Sequence, residues 1–409
     1  MICTQVFPCC LPKIEADALN RESGRVYTET LVWHYRVYRR TGHWLSQGAA
    51  EKLGDFLSDT TLHAHSRDAA QQAFYKACKT AKANRGDGAH YPHQLKHYRT
   101  TIWKNTGIRP RDGRLLLARA RGLQFVAAKL PPNLAELPAK AFLEMRLVWD
   151  RAARRYFWHA VVEDGRLPTA APGDAVAGID MGEIHPAVAT DGKEAIVFTA
   201  RQLRSVHQYT NKRLAKLRSK QDNLNKGSRR WKKLQRRKNR FLAKQRRRAR
   251  DIEHKVSRAV VSWAAERKVG ALAIGDVRTV ADGKRLGRKS QQKIGNWTHG
   301  KLRGYIEYKA QAAGIRTQLV DEQHTSQTCP RCGRRYKPQG RVYRCCACGF
   351  VGHRDIVGAA NILSRFTTGE LGKAWPMETK YRHPFLTGKR SRPDTAQVAC
   401  EGSRAWACS

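Results

Sequence analysis

The chain has 409 residues, 41% of them hydrophobic, and 78 Lys and Arg stand against 34 Asp and Glu, a formal net charge of +44. That length suits two or three globular domains, and a charge this large repels itself unless a polyanion, DNA or RNA, neutralises it. No apolar run of about 18 residues predicts a membrane span, and the N-terminus lacks the basic region of a signal peptide. We therefore expect no membrane partner and a cytoplasmic protein, nucleoid-associated in a prokaryote.

The first 140 residues or so predict a mixed, mostly helical region. Residues 65–85 place apolar and small side chains at helical spacing. Residues 91–105 interleave basic and aromatic side chains, a pattern typical of phosphate contact with base stacking and equally of an ordinary amphipathic surface. The stretches 145–150 and 155–164 then predict a β-hairpin.

Residues 175–182, AVAGIDMG, predict an apolar strand that ends in Asp180. Residues 185–199 add two strands around an Asp191-Gly192 turn. Three consecutive β-elements predict an antiparallel meander.

Residues 201–250 change character, with 21 Lys and Arg and one acid, Asp222. Apolar side chains recur at roughly helical intervals, and NKGS at 225–228 interrupts them. We predict a helical hairpin with a very basic surface, the alternative being a disordered charge tract. The basic residues that we expect to bind nucleic acid are Arg229, Arg230, Lys232, Lys233, Arg236, Arg237, Arg246 and Arg247.

The segment after this hairpin predicts alternating helices and strands. Residues 251–268 form an amphipathic helical pattern, 271–277 a short buried strand, 296–314 a helix and 315–322 a strand. Two strands that flank a helix make a βαβ unit. The tail from 368 to 409 lacks periodicity and predicts disorder.

Four cysteines predict a zinc site. Cys329 and Cys332 form one CxxC pair, Cys345 and Cys348 another, and twelve residues separate the pairs. Four thiolates at this spacing suit tetrahedral Zn²⁺, and a closed four-cysteine site is structural, with no open position for catalysis. Cys346 could compete with Cys345 as a zinc ligand, but only one residue separates it from Cys348, which is too short for the turn that a CxxC pair makes around the metal.

Two aspartates are candidates for a catalytic metal site. Asp180 ends a strand, where a sheet presents functional side chains, although a lone Asp there is also an ordinary turn residue. Asp355 precedes IVGAANIL, whose small residues Gly358, Ala359 and Ala360 allow a helix to pack closely on a sheet. An acid on such a helix can lean over the end of a strand, and two such acids can hold a pair of Mg²⁺ ions for phosphodiester hydrolysis.

The motifs GIDMG, TSQTCPRCG and HRDIVGAANIL, together with the basic hairpin and the second CxxC pair, resemble the TnpB family. These are transposon-associated, RNA-guided DNA nucleases related to the type V CRISPR effectors. The resemblance is specific over about 174–365 and looser over 25–170. It implies a guide RNA and a double-stranded and single-stranded DNA target as partners, with a β-barrel and helical bundle in the N-terminal part.

The resemblance also implies an α/β and α+β multidomain fold, with an RNase H-like (RuvC) nuclease domain interrupted by the helical hairpin and a zinc ribbon. The expected divisions are an N-terminal nucleic-acid-binding region at 1–172, the RuvC-like domain at 173–324 with its hairpin at 201–250, the ribbon at 325–350, a final RuvC segment at 351–367 and the tail at 368–409.

The sequence departs from the family at the second catalytic acid. The family usually has a Glu near the end of the fourth strand, in a pattern like IEDL, whereas this sequence has IGDV with Gly275 in that slot. Asp276 could take over, but adjacent strand residues point to opposite faces. In the RNase H-like sheet that the resemblance implies, the strand that ends in Glu322 neighbours the fourth strand, about 4.8 Å away, a gap that a Glu side chain can cover. Some family members similarly pair GD in this slot with a Glu before TSQ, so we favour Glu322.

Two hypotheses of function follow. The first is a Mg²⁺-dependent, RNA-guided DNA endonuclease that uses Asp180, Glu322 and Asp355 and reads a short flanking motif. The second is a nuclease-inactive, RNA-guided DNA-binding repressor, the outcome if no acid replaces the one missing at Gly275. A DNA-strand transferase is less favoured, since no Tyr or Ser nucleophile constellation supports it.

Overall fold

The computed structural model describes residues 2–52, 59–165, 167–278, 287–376 and 378–383. The chain divides into two compact units, Met1–Arg166 and Leu167–Ser409. Within the described ranges, no helix is both long enough and apolar enough to cross a membrane.

The first unit combines helices with two antiparallel sheets. Its helices are α1 (Lys13–Thr41), α2 (Gln47–Lys52), α3 (Ala64–Ala83) and α4 (Pro132–Ala135). Its strands are β1 (Ile2–Pro8), β2 (Thr101–Lys104), β3 (Ile108–Arg111), β4 (Arg114–Leu117), β5 (Val126–Lys129), β6 (Phe142–Asp150) and β7 (Arg155–Glu163). One sheet has the order β1-β7-β6-β2 and the other β3-β4-β5. The hairpin predicted from 145–150 and 155–164 is confirmed as β6 and β7.

The prediction that residues 1–140 are mostly helical is wrong beyond residue 100. Strands β2 to β5 are four residues each. A run of four residues carries almost no periodicity, so its sequence does not separate a strand from a loop or a helical turn. These strands are defined by their partners, as where Trp103 in β2 faces Met145 in β6. The helix predicted at 65–85 is confirmed as α3.

The second unit is built on one mixed sheet. Its strands are β8 (Ala175–Asp180), β9 (Ala187–Thr190), β10 (Glu194–Phe198), β11 (Val269–Asp276), β12 (Arg316–Asp321), β13 (Val342–Arg344), β14 (Val351–His353) and β15 (Glu378–Arg382). Its helices are α5 (Arg201–Asp222), α6 (Arg229–Glu266), α7 (Arg288–Asn296), α8 (His299–Ala312) and α9 (Arg354–Thr368). The main sheet has the order β12-β11-β8-β9-β10-β15, and β13 pairs separately with β14.

The main sheet confirms two predicted motifs. Strands β8, β9 and β10 form the antiparallel meander. Strand β12 lies parallel to β11 after helix α8, as the βαβ prediction requires. Because β11 also runs parallel to β8, the ends of β8, β11 and β12 lie at the same edge of the sheet.

Alternation along strand β8 assigns its side chains to two faces. Ala177 and Ile179 join the core formed with α6 and α8. Gly178 and Asp180 point the other way, toward α9. The sheet is therefore covered on one face by α6 and α8 and on the other by α9.

The predicted helical hairpin is confirmed, but its second arm is longer than expected. Helix α6 begins after Ser228, whose hydroxyl accepts a hydrogen bond from the Trp231 amide at 3.2 Å. It then runs without interruption to Glu266, so the helix predicted at 251–268 is the continuation of the hairpin. No Gly or Pro lies between residues 229 and 266, so nothing in the sequence breaks the helix there.

The prediction of a disordered tail is wrong for residues 378–382. These form β15, which pairs in parallel with β10 at the edge of the main sheet. Lys380 anchors the strand through an ion pair with Glu194 at 2.6 Å. Such a strand depends on a partner almost two hundred residues away, which local periodicity cannot show. Thr368 is the last residue of α9, and residues 369–376 and 383 are described but belong to no helix or strand. Residue 377 and the part of the predicted tail from 384 onward lie outside the described residues.

Candidate active site and metal centres

The four predicted cysteines form one cluster. Cys329 Sγ lies 3.6 Å from Cys348 Sγ, and Cys332 Sγ lies 3.5 Å from Cys345 Sγ. All four sulfur atoms are within 4.8 Å of one another. Tetrahedral Zn–S bonds of about 2.3 Å place sulfur atoms about 3.8 Å apart, so the cluster can hold a zinc ion. Cys346 is exposed and lies outside this set of ligands.

Asp180 lies at the carboxyl end of β8, directly beneath helix α9. The close approach of strand and helix depends on glycines on both elements. A Cβ at Gly358 of α9 would lie 2.9 Å from Asp180 Oδ2, and a Cβ at Gly178 of β8 would lie 2.6 Å from the Leu363 amide nitrogen. Larger residues at either position would push α9 off the sheet.

Glu322 occupies the space that a side chain at residue 275 would need. A Cβ on Gly275 would overlap the Glu322 carboxyl group and lie 2.7 Å from its Cγ. Gly275 pairs with Val320 on the adjacent strand, and Glu322 follows two residues later on the same face. The Glu322 carboxylate therefore reaches across from β12 to the end of β11.

Asp276 points away from this group. Its neighbours Ala273 and Gly275 face α9, whereas Ile274 packs on the opposite side of the sheet with α6 and α8. Alternation places Asp276 with Ile274, and its carboxylate is held by Arg278 at 2.5 Å.

Asp355 lies in the first turn of α9. Arg341 Nη1 donates to Asp355 Oδ2 at 3.0 Å. His353 caps the helix, its Nδ1 accepting a hydrogen bond from the Asp355 amide at 3.2 Å. Asp355, His353 and His185 together offer ligand atoms within 4.8 Å of one another. Across the part of the chain that the structure describes, Asp180, Glu322 and Asp355 do not form a set this compact.

The two histidines were missed by the sequence analysis. Each is a single residue in a loop or at a helix cap, and only the fold brings them together. Burial lowers the pKa of His185 to about 4 and also lowers the pKa of His353. Both imidazoles are therefore neutral at pH 7 and able to bind a metal ion through a ring nitrogen.

The carboxylates repel one another and are poorly solvated. Burial raises the pKa of Asp180 well above its ordinary value, and the charges of Glu322 and Asp355 raise it further. Burial, followed by the charges of Asp276 and Asp321, raises the pKa of Glu322 to about 7. Glu322 Oε1 is buried and has no hydrogen-bond partner. Half-buried carboxylates and a buried oxygen without a hydrogen-bond partner are a donor set that a divalent cation would stabilise, so these residues fit Mg²⁺.

Asn361 ties α9 to the segment between Glu322 and the cysteine cluster, a role that the sequence analysis did not predict. Its fully buried side chain donates from Nδ2 to the carbonyl oxygens of Thr325 at 2.7 Å and Thr328 at 2.8 Å. Its Oδ1 accepts from the Gly372 amide at 2.8 Å. Asn361 thus fixes the helix that carries Asp355 to the loop that follows Glu322.

The eight basic residues singled out on the hairpin are all exposed on α6. The two arms pack through a narrow apolar and amide seam. Leu217 is buried there, and Gln221 bonds to Gln235 at 2.9 Å and to Lys238 at 2.8 Å. The charged surface is therefore exposed and able to contact a polyanion.

Comparison with known families matches two parts of the chain. A family model described as OrfB_IS605, "Probable transposase", matches residues 159–281, and one described as "Cas12f1-like, TNB domain" matches 299–362. Over 98 residues the chain is 31% identical to "Putative transposase MJ0856.1" of Methanocaldococcus jannaschii and covers 85% of it. The chain belongs to the TnpB family.

Two other relatives of this TnpB-family chain are matched in part. It is 29% identical over 128 residues to "TnpB-like protein MJ0751" of M. jannaschii, covering 31% of this chain and 45% of that protein. It is 33% identical over 112 residues to "CRISPR-associated endodeoxyribonuclease Cas12f1" of Sulfoacidibacillus thermotolerans, covering 27% of this chain and 25% of that one. The match thus spans less than half the length of either protein.

The fold itself is shared more widely. The chain superposes on the protein of a solved Cas12f1–sgRNA–target DNA complex with a TM-score of 0.55 at 13% identity. The superposition covers 86% of this chain and 83% of that one. The TnpB-family chain is therefore an α/β multidomain protein that resembles Cas12 effectors.

The cysteine cluster predicts a zinc content that one substitution removes. Cys348→Ala should lower zinc from one ion per chain to nearly none and make residues 325–355 sensitive to protease, because metal binding is coupled to folding of the ribbon. Metal analysis and limited proteolysis measure both effects. The matched control is Cys346→Ala, which should keep its zinc. Full zinc content in Cys348→Ala would refute the cluster as the site.

The overlap between residue 275 and Glu322 predicts a stability change. Gly275→Ala should lower the free energy of unfolding by about 1–3 kcal/mol, because the added methyl group displaces a buried carboxyl group. In a Glu322→Ala background most of that cost should vanish. Denaturant unfolding of the four proteins completes the cycle. The control is Gly304→Ala, where nothing lies within 4 Å of the new Cβ. If the effects of the substitutions at 275 and 322 are additive, residue 275 and Glu322 are not in contact.

Proposed function

We propose that this protein is an RNA-guided DNA endonuclease of RuvC type, transposon-associated, which hydrolyses guide-matched DNA beside a short flanking motif. The observation that supports the proposal is the position of Glu322 in a TnpB-family chain: its carboxyl group fills the space beside Gly275 on β11, the strand next to the one that ends in Asp180, beneath the helix that carries Asp355. The burial of Asp180 and its repulsion by Glu322 and Asp355 make a divalent cation the natural counterion. Asp276, held by Arg278 on the other face, is left out of the catalytic set.

Each acid has a separate role in this proposal. Asp180 and Glu322 would hold Mg²⁺ from two strands of a rigid sheet, and Asp355 would complete the site from the helix above. Two Mg²⁺ ions in such a site supply an activated water and neutralise charge in an in-line displacement. Because the carboxylates sit on elements fixed by packing, the protein holds them in place before substrate arrives.

The partners are proposed from charge and from family. The chain's net charge of +44 and the exposed α6 surface suit a guide RNA and a DNA target, both polyanions. In this class of nuclease, base pairing with the guide reads the sequence while the protein grips backbones and reads the flanking motif. The zinc cluster would serve as a structural staple between Glu322 and Asp355.

The catalytic proposal predicts three inactive variants that still bind. Asp180→Ala, Glu322→Ala and Asp355→Ala should each reduce cleavage by about three orders of magnitude, because each removes a ligand of the metal-assisted step. Guide and target binding should survive, since it depends on basic surfaces and base pairing. The assays are cleavage of guide-matched, flank-matched plasmid with Mg²⁺ and a binding assay without it.

Controls assign the third acid. Asp321→Ala, beside Glu322 but exposed and paired with Arg365, should cut normally, and Asp276→Ala should lose less than about tenfold. Moving the carboxylate back, as Gly275→Glu with Glu322→Gly, should recover part of the activity. If Glu322→Ala cuts normally and Asp276→Ala does not, the assignment is wrong. If the unmodified protein binds its target but never cuts across several divalent metals and flanking motifs, it is the nuclease-inactive repressor.

The basic hairpin predicts a salt dependence. Replacing Arg236, Arg237, Arg246 and Arg247 by Gln should reduce the slope of log K against log salt for guide RNA by about 3, since each lost phosphate contact removes about 0.7–0.9. The same four positions changed to Lys preserve charge and should preserve the slope. Filter binding from low to high salt measures it. An unchanged slope in the Gln variant would mean that this surface does not contact RNA.

A further inference from the structure

An arginine-lined cavity lies beside Asp355. Its volume is about 430 Å³, and its lining consists of Ile184, Arg201, Arg204, Ser205, Gln208 and Arg341. We call this the arginine pocket. Three guanidinium groups line it with a hydroxyl and an amide. No carboxylate is among the lining residues, and Arg204 pairs at 3.4 Å with Glu183, which precedes the lining residue Ile184. Guanidinium groups match the paired oxygens of a phosphate, so the chemistry favours a phosphodiester.

The start of helix α5 adds to the preference for an anion. Arg201, Arg204 and Ser205 lie in its first turns, and no side chain caps the helix at Ala200. The uncapped amide groups and the helix dipole place partial positive charge at this end of a helix of 22 residues. The arginine side chains and the backbone therefore favour the same ligand.

Arg341 belongs both to this pocket and to the proposed catalytic site. While it lines the pocket, its Nη1 donates to Asp355 Oδ2 at 3.0 Å. Its backbone is fixed, because its carbonyl accepts from the Arg354 amide at 2.8 Å at the start of α9. The Arg341 side chain, however, is 46% exposed and can change partner, whereas the Asp355 side chain is only 14% exposed. A cation at Asp355 and the guanidinium compete for one carboxylate.

We propose that the arginine pocket binds a phosphate of the DNA strand to be cut, and that this phosphate draws Arg341 away from Asp355. The inference rests on the proposed function and adds a substrate subsite and a gate to it. Without DNA, Arg341 neutralises Asp355 and disfavours a metal ion there. With a strand in the pocket, the guanidinium pairs with phosphate and Asp355 becomes available to the metal. Metal loading and strand binding then support each other.

The experiment measures binding alone, so it does not depend on cleavage. The protein is purified with its guide RNA, Mn²⁺ binding is followed by EPR, and binding of a short single-stranded oligodeoxynucleotide is followed by fluorescence anisotropy without added divalent metal. Arg341→Gln should bind Mn²⁺ about fivefold to tenfold more tightly without DNA and bind the oligonucleotide several-fold more weakly. Arg204→Gln should weaken binding of the oligonucleotide to a similar degree. It should leave Mn²⁺ binding in the absence of DNA unchanged.

Two further comparisons make the test specific. In the unmodified protein the oligonucleotide should tighten Mn²⁺ binding several-fold, and Arg341→Gln should abolish that coupling. Arg344→Gln changes an exposed arginine three residues after Arg341, at the end of β13, and should behave as the unmodified protein. In an Asp355→Asn background the Arg341 effect on Mn²⁺ should disappear.

The pocket and the nuclease proposal can fail separately. Unchanged or weaker Mn²⁺ binding in Arg341→Gln would overturn the gate, and unchanged oligonucleotide binding in both arginine variants would overturn the pocket, even in a protein that cuts DNA. A protein that shows the predicted opposite shifts but never cuts would keep the pocket and lose the endonuclease.

Discussion

The close contact between helix α9 and strand β8 is the constraint on which the candidate site depends. Gly358 lies against the Asp180 carboxyl group, and Gly178 lies against the backbone of α9. Only residues without a side chain permit this distance. Because the helix and the strand are in such close contact, the charge of Asp355 on the helix acts on Asp180 on the strand. If the helix were farther away, the two acids would lie on separate surfaces.

The pairing of a glycine at position 275 with a glutamate at position 322 follows from the geometry of the same sheet. Strands β11 and β12 are neighbours in register, so a carboxylate from either can fill one space above the sheet. The overlap of a Cβ at 275 with Glu322 explains why the two features occur together in this chain: a long Glu from β12 requires a glycine on β11. A carboxylate at this point of the sheet can therefore come from either strand.

In the second unit, a few acidic side chains lie among many basic ones. The α6 surface is dense in exposed Arg and Lys, whereas burial and neighbouring carboxylates raise the pKa values of Asp180 and Glu322. The basic α6 surface attracts a polyanion, and the carboxylates of Asp180 and Glu322 attract a divalent cation. Arg341 is where the two chemistries meet, because it pairs with Asp355 and also lines the arginine pocket.

The sequence by itself determined the elements whose signal is local: the four-cysteine spacing, the helical hairpin interrupted at 225–228, the β8–β10 meander and the small-residue helix after Asp355. Tertiary structure decided the rest. The short strands β2–β5 and the edge strand β15 exist through distant partners, and the histidines at 185 and 353 become neighbours only when α9 docks. The relative placement of the Asp276 and Glu322 side chains also needed the fold. The alternation of side chains along a strand argues against Asp276 from the sequence alone. Only the pairing of β11 with β12 places Glu322 in the space that Gly275 leaves open.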